Sequence, residues 1–228
     1  TTVIKDCIKN SSKIRLIHRI GRKGLAGAVI EGVFAANADL VAVMDCDLQH
    51  DETKLLNMIN LFSQNNSLDI VIGSRFTETG EISEKAFSKM RELGSKATTL
   101  IIKKVLNIES TDPLSGFFMV KKETFLKSSE SLQTQGFKVL ADFLATSRNN
   151  IEIKEIGYKF KNRTAGESKM SILTALELIG LVLSQLLNGR VSIRFILFCM
   201  VGLSGIFVQL LITGLAMLLI NQFPTSQT

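Results

Sequence analysis

The sequence predicts an α/β fold built on a mostly parallel central sheet and followed by a membrane-associated tail, and three observations carry that prediction. Two short β-rich runs lack polar alternation, LVAVM at 40–44 and DIVIG at 69–73, as expected of strands buried on both faces of a sheet. KIRLIH at 13–18 is separated from the first of these by a basic glycine-rich turn, GRKG, and by a segment with apolar residues at helical intervals, which makes a strand-helix-strand unit. Residues 196–220 carry no charge, a stretch long enough to cross a bilayer core of about 30 Å with some tilt.

The elements follow in chain order. Val3, Ile4 and Ile8 have helical spacing, so residues 1–10 read as the end of a helix, and 13–18 reads as a strand beside the central one. Residues 25–38 form the helix that leads into the 40–44 strand. Asp51 and Glu52 open the next helix near its positive end, with Leu55, Leu56, Ile59 and Phe62 on its inner face. The 69–73 strand ends at Ser74-Arg75. A polar loop at 77–84 precedes a long helix over 84–106, on which Arg91 and Ser95 stand one turn apart. The proline and glycine of TDPLSG make 111–116 a turn before a short strand at 117–120. Residues 137–147 are helical, and 151–160 alternates as a strand with Ile153, Ile156 and Tyr158 facing inward. The apolar run 172–187, interrupted by Glu177, is short for a crossing and suits a helix lying in the membrane interface. This gives a domain over 1–170, an interfacial helix over 171–190 and a transmembrane helix over 193–221 that starts a membrane domain.

Composition narrows the partners. The 228-residue chain is 46% hydrophobic, with positive mean hydropathy, a formal charge of +6 and a pI near 9.3. Nucleic acid is excluded, because no basic helix, zinc spacing or aromatic-basic RNA signature accompanies the charge. Lys154, Lys159, Lys161, Arg163, Lys169, Arg190 and Arg194 instead gather ahead of the apolar tail, which suits an anionic membrane face and phosphorylated substrates. Arg190 and Arg194 precede the span and no Lys or Arg follows it, so the positive-inside rule puts the domain on the cytoplasmic side of an integral membrane protein. Cys7, Cys46 and Cys199 are too few and too far apart for a disulfide framework, and a reducing compartment is expected. The chain begins Thr1-Thr2 without a cleavable signal and is read as a fragment lacking its true beginning.

The chemistry is concentrated in LVAVMDCDLQH, residues 40–50. If the chain stays extended past the strand, Asp45, Asp47 and Gln49 project on one side as a hard oxygen cluster suited to Mg²⁺ or Mn²⁺. An acidic turn after a strand is the plainer alternative. His50 supports the cluster at most and His18 is structural. GRKGLAG lacks the spacing of a dinucleotide-binding loop.

DCDLQH after VAVM, DIVIGSR, the Arg91 and Ser95 pair, DPLSGFFMVKK and GYKFKNRTAGESK together resemble the polyprenol-phosphate glycosyltransferases of glycosyltransferase family 2, and within these the dolichyl-phosphate mannose synthases. The resemblance runs from about residue 14 to residue 169 and implies an A-type glycosyltransferase fold. Carried over residue by residue, it implies metal and nucleotide binding by Asp45, Asp47 and Gln49. Arg75, Arg91 and Ser95 would bind the lipid phosphate, Ser115 and Gly116 would lie beside the sugar, and Arg163 and Lys169 would close over phosphates. Asp47, Arg75 and Arg91 are the expected catalytic groups. Asp142 stands where relatives carry an acidic residue, while alone it reads as a helix-surface carboxylate.

The implied reaction is inverting transfer of a hexose, mannose from GDP-mannose first, onto dolichyl or another polyprenyl phosphate at the membrane. UDP-glucose or a UDP-N-acetylhexosamine is the alternative donor. A D-x-D phosphohydrolase and a non-catalytic membrane scaffold are the alternatives of other classes. The nucleotide-binding first strand of the family is not found before Thr1, Ala26 replaces a common glycine, and Cys46 is expected to point into the fold.

Overall fold

The computed structural model describes residues 2–21, 24–77, 81–82, 99–100, 103–104, 108–132, 138–147, 150–161, 180, 182–183, 187, 191 and 193–222. The chain divides into two compact units, Thr1–Ser168 and Lys169–Thr228.

In the first unit the described elements are α1 (Thr2–Asn10), α2 (Leu25–Ala35), β1 (Leu40–Val43), α3 (Lys54–Gln64), β2 (Leu68–Ser74), β3 (Glu81–Ile82), β4 (Phe118–Lys121), α4 (Lys122–Ser129), α5 (Val139–Thr146), β5 (Glu152–Gly157) and β6 (Lys159–Phe160). The main sheet has the order β1-β4-β2-β5, and β3 pairs with β6. β4 runs antiparallel to both its neighbours while β2 and β5 are parallel, so β1, β2 and β5 all point one way. Their carboxyl ends therefore share one edge with the chain entering β4. That edge is where open α/β sheets bind ligands.

β2 is the buried strand. Its residues are almost all inaccessible to solvent, and Val71, opposite Met119, packs with Met58, Phe62, Leu68, Phe117, Tyr158 and Phe160 on one face. Ile70, Ile72, Phe118 and Val120 are fully buried on the other face, and the rings of Phe125 and Phe143 stack at 5.3 Å where α4 meets α5. Gly73 is dictated by packing, since a Cβ there would stand 2.5 Å from the Phe117 ring. Gly24 enters α2 with φ of 112°, a conformation that glycine adopts without strain, and Arg19 Nη1 donates to its carbonyl at 2.8 Å.

Three expectations are corrected. Residues 14–19 are coil. Ile14, Ile17 and Ile20 are exposed, and apolar residues do not make a strand without a hydrogen-bonding neighbour; Arg15 Nη2 instead ties the segment to the Ala35 carbonyl at 2.5 Å. β1 is only partly buried, with β4 as its partner among the described residues, so its apolar run does not reflect burial on both faces. On α3 the residues that pack against the core are Leu55, Met58, Leu61 and Phe62, while Leu56 and Ile59 are exposed.

In the second unit Ile193–Gln222 is a 30-residue helix, α6, and Phe195–Leu218 within it is long and apolar enough to cross a membrane. Within that apolar stretch Ser204 Oγ donates to the Val201 carbonyl at 2.7 Å and Gln209 Nε2 to Thr213 Oγ1 at 3.5 Å, bonds within the helix that an apolar surrounding favours. Most of the expected interfacial helix lies outside the described residues.

Candidate active site

The carboxyl end of β1 supplies the acidic group of the site. Exposure alternates from Val41 to Leu48, which puts Asp45 and Asp47 on the more sheltered side. The expectation of an extended chain through Gln49 fails at Leu48, whose φ of 61° is left-handed and strained for a branched side chain. That turn leaves Leu48 exposed, while Gln49 and His50 after it are both buried. Gln49 Nε2 donates to the Lys161 carbonyl at 3.0 Å, and Lys161 N donates to the Gln49 carbonyl at 2.9 Å. The acidic segment is thereby fastened to the chain leaving β6. His50 Nδ1 stands 2.7 Å from the Tyr158 hydroxyl, and its Nε2 3.7 Å from Asp45 Oδ2. Cys46 is exposed, contrary to expectation, because the alternation that shelters the two aspartates turns the intervening side chain outward.

The loop entering β4 closes on this segment. A Cβ at Gly116 would meet the Asp45 carboxylate, with Cγ only 2.9 Å away, so the absence of a side chain at 116 lets the backbone lie against that carboxylate. Ser115 Oγ donates to the Gly73 carbonyl at 2.7 Å and accepts from Phe117 N at 3.1 Å. This hydroxyl pins the loop to the end of β2.

Arg75, just past β2, forms a fork on Asp112: Nε to Oδ2 at 2.7 Å and Nη2 to Oδ1 at 2.8 Å, with the Arg75 backbone N–H reaching Oδ2 at 3.2 Å. The side chains of Arg75 and Asp112 are 13% and 0% exposed, and the guanidinium also lies over the rings of Phe76 and Phe160 at 5.3 Å from each centroid. Burial works against its charge, but the bonds and charge of Asp112, then the fields of Tyr158 and Asp45, outweigh it and hold Arg75 more firmly protonated than usual.

Lys138, at the start of α5, was not singled out in the sequence. Burial first, then repulsion from Arg75, push its ammonium down to about 8, while Asp112 and Asp45 pull the other way. A lysine at the positive end of a helix, four residues before Asp142, opposes the helix dipole, and that misplaced charge is the signal the sequence offered. Asp142 is 2% exposed, so the surface reading is wrong; α5 is buried along nearly its whole length. Tyr158 has its phenol pushed above its ordinary value by burial, against the opposing field of Arg75.

Asp45, Asp47, Gln49, Arg75, Ser115 and Gly116 thus belong to one edge of the sheet. Arg91, Ser95, Arg163 and Lys169 lie outside the described residues. Among the described residues no group of three or more His, Cys, Asp and Glu converges in the manner of an all-protein metal cage. The donor set fits Mg²⁺ or Mn²⁺ in another way, because such ions are commonly held by one or two carboxylates and complete their shell with water and substrate phosphates.

A profile described as Glycosyl transferase family 2 matches residues 1–127. A dolichol-phosphate mannosyltransferase of Pyrococcus furiosus is 33% identical over 201 residues, covering 86% of this chain and 54% of its own length. One from Saccharomyces cerevisiae is 31% identical over 164 residues, covering 69% and 59%. The chain spans about half the length of the curated relatives it matches. Among solved structures it resembles glucosyl-3-phosphoglycerate synthase from Mycobacterium tuberculosis in complex with Mn²⁺, UDP-glucose and phosphoglyceric acid, with a TM-score of 0.53 and 16% identity over 76% of this chain and 57% of that one. The UDP complex of that enzyme gives 0.52 and 17% over 72% and 55%. At such identity the likeness establishes the fold, that of an A-type nucleotide-sugar transferase.

Proposed function

The chain belongs to glycosyltransferase family 2, and from that premise we propose that it moves a hexose, mannose from GDP-mannose first, onto the phosphate of dolichol or another polyprenol. The observation that carries this reading is the meeting of opposite charges at one sheet edge. The Asp45 carboxylate lies against the Gly116 backbone and contributes to the field on both Arg75 and Lys138.

A diphosphate leaving group and an anionic acceptor repel one another, so a site that joins them needs carboxylates for a cation and, beside them, fixed positive charge. Asp45 and Asp47 would hold Mg²⁺ or Mn²⁺, with Gln49 setting the course of that segment, and the ion would supply Lewis-acid stabilisation of the charge on the diphosphate. Arg75 is the group for the acceptor phosphate. Its fork on Asp112 fixes the guanidinium plane, and the donors not used on Asp112 suit a second anion. Lys138 adds charge beside it, and in this reading Arg91, Ser95, Arg163 and Lys169 complete the phosphate contacts.

An acceptor phosphate oxygen attacks the anomeric carbon as the bond from that carbon to the diphosphate oxygen breaks. The nucleoside diphosphate departs with the electron pair, and configuration inverts. The acceptor is already ionised near neutral pH, so no side chain has to remove a proton. The apolar helix α6, with Arg190 and Arg194 ahead of its uncharged stretch, supports transfer at the cytoplasmic face.

The test is transfer of radiolabel to solvent-extractable lipid by the full chain in membranes, with dolichyl phosphate, Mn²⁺ and in turn GDP-mannose, UDP-glucose and UDP-N-acetylglucosamine. GDP-mannose should label the lipid. Labelling by a UDP-sugar alone would reassign the donor, and phosphate release without lipid labelling would point to a phosphohydrolase.

A further inference from the structure

Arg75 does not stand on its own. Its fork partner Asp112 sits in the turn at 110–112, and that turn is gripped from below by a carboxylate on the neighbouring strand. On β5, Glu155 Oε1 accepts from Ser110 Oγ and from Thr111 N, both at 2.7 Å, and Oε2 accepts from Thr111 Oγ1 at 2.7 Å. Thr111 Oγ1 lies 2.5 Å from Ser74 Oγ, and Ser74 Oγ accepts from Phe76 N at 3.1 Å. Ser110 Oγ accepts from Asp112 N at 3.2 Å. The residues on either side of Arg75 and the two residues that precede its counter-ion are therefore bonded into one network, and Glu155 is the anion on which that network ends.

We propose that Glu155 is a positioning residue for glycosyl transfer: through Ser110, Thr111 and Asp112 it sets where the Arg75 guanidinium stands and so how well the acceptor phosphate is held. The proposal rests on the acceptor-phosphate role given to Arg75 above. The chemistry at the far end suits the task. A carboxylate has acceptor capacity for three converging donors, which a neutral side chain of this size lacks, and a charged acceptor makes each bond stronger than its neutral counterpart. Among the described residues the side-chain bonds of Glu155 go to Ser110 and Thr111, and it acts on Arg75 through them.

The experiment uses the full chain in detergent with ¹⁵N-labelled arginine, and follows hydrogen exchange at Arg75 Nε–H together with the KM for polyprenyl phosphate and for the sugar nucleotide. Glu155→Ala should speed exchange at Arg75 Nε–H and raise the KM for polyprenyl phosphate, each by about tenfold or more, as the loss of one bond to a charged group implies. The KM for the sugar nucleotide should stay within about twofold, since uniform binding at a separate substrate is untouched. Glu155→Gln keeps one oxygen for Thr111 N and can donate to the Thr111 hydroxyl, so it should fall between wild type and Glu155→Ala. If Glu155→Ala does not fold, the pair Ser110→Ala/Thr111→Val, which removes both hydroxyls that reach Glu155, takes its place, with Thr111→Ser as the control that keeps its hydroxyl. Unchanged Arg75 Nε–H exchange in folded Glu155→Ala, or in the folded pair, overturns the proposal. Faster exchange with an unchanged KM for polyprenyl phosphate also overturns it as a statement about transfer, and in that case the phosphate role of Arg75 fails while the structural coupling stands.

Discussion

Asp112→Asn is the substitution with the most determinate cost. Asp112 is fully buried and accepts both N–H bonds of the Arg75 fork together with the Arg75 backbone N–H, at 2.7, 2.8 and 3.2 Å. Asparagine keeps one acceptor oxygen, turns an NH₂ toward a donor, and leaves a guanidinium that is 13% exposed without its counter-charge. Breaking a buried pair from one side costs about 3–5 kcal/mol, and the residual exposure of Arg75 puts the expected loss near the lower limit, about 3 kcal/mol. Replacing both partners, Arg75→Met with Asp112→Leu, removes the orphaned charge and should recover most of that loss. Urea unfolding of the full chain in detergent reads this cleanly, because Tyr158 is the single tyrosine, the sequence has no tryptophan, and this phenol is buried in the same core. A loss under about 1 kcal/mol for Asp112→Asn, the range of exposed ion pairs, would refute the reasoning, as would a double variant no more stable than the single one.

Other outcomes follow from the same geometry. Gly116→Ala has no positive φ to relieve, so its methyl should displace the Asp45 carboxylate and weaken Mn²⁺ binding in the presence of GDP by about tenfold, while overpacking costs only about 1–3 kcal/mol; isothermal titration and urea unfolding measure the two. Lys138 has a folded value of about 8 against an ordinary 10.5, so between these limits the unfolded chain binds more protons. Wild-type stability should therefore rise relative to Lys138→Met as pH increases from about 8, and the comparison is best stopped near pH 10, where the raised Tyr158 value begins to lower the stability of both. Leu48→Gly removes a left-handed branched residue whose side chain is exposed, and should stabilise the domain by about 1 kcal/mol on thermal unfolding. Phe143→Ala opens a cavity where its ring stacks on Phe125 and should cost about 3–5 kcal/mol by the same unfolding assay.

What could be read from the sequence depended on whether the cause was local. The run at 69–73 lies in β2, a strand buried on both faces, while the run at 40–44 contains β1, which is only partly buried beside β4, and the abrupt change to Asp45 and Asp47 falls at the carboxyl end of β1. The strand expected at 13–18 failed because strand formation depends on a partner that no local pattern reveals. The outward turn of Cys46 follows from the alternation that shelters Asp45 and Asp47, whereas the burial of Gln49 follows from one left-handed residue, Leu48, where the sequence has no glycine or asparagine to announce it. The roles of Asp112, Lys138 and Glu155 are not legible in the sequence for a different reason. Each acquires its meaning from a residue far along the chain: Asp112 from Arg75, Lys138 from Arg75 and Asp45, and Glu155 from Thr111. A titratable residue's role depends on what folding places against it, and spacing along the chain carries no record of such pairings.

In the proposed mechanism a cation held by Asp45 and Asp47 and a lipid phosphate held at Arg75 occupy one cleft. Paramagnetic relaxation of ³¹P in a short-chain polyprenyl phosphate, with Mn²⁺ and GDP bound to the full chain in nanodiscs, measures that proximity directly. Strong relaxation of the lipid phosphorus, abolished in Asp47→Asn and weakened in Arg75→Met, is the predicted result. Relaxation confined to the GDP phosphorus atoms, with the lipid phosphate saturably bound and unaffected, would contradict it.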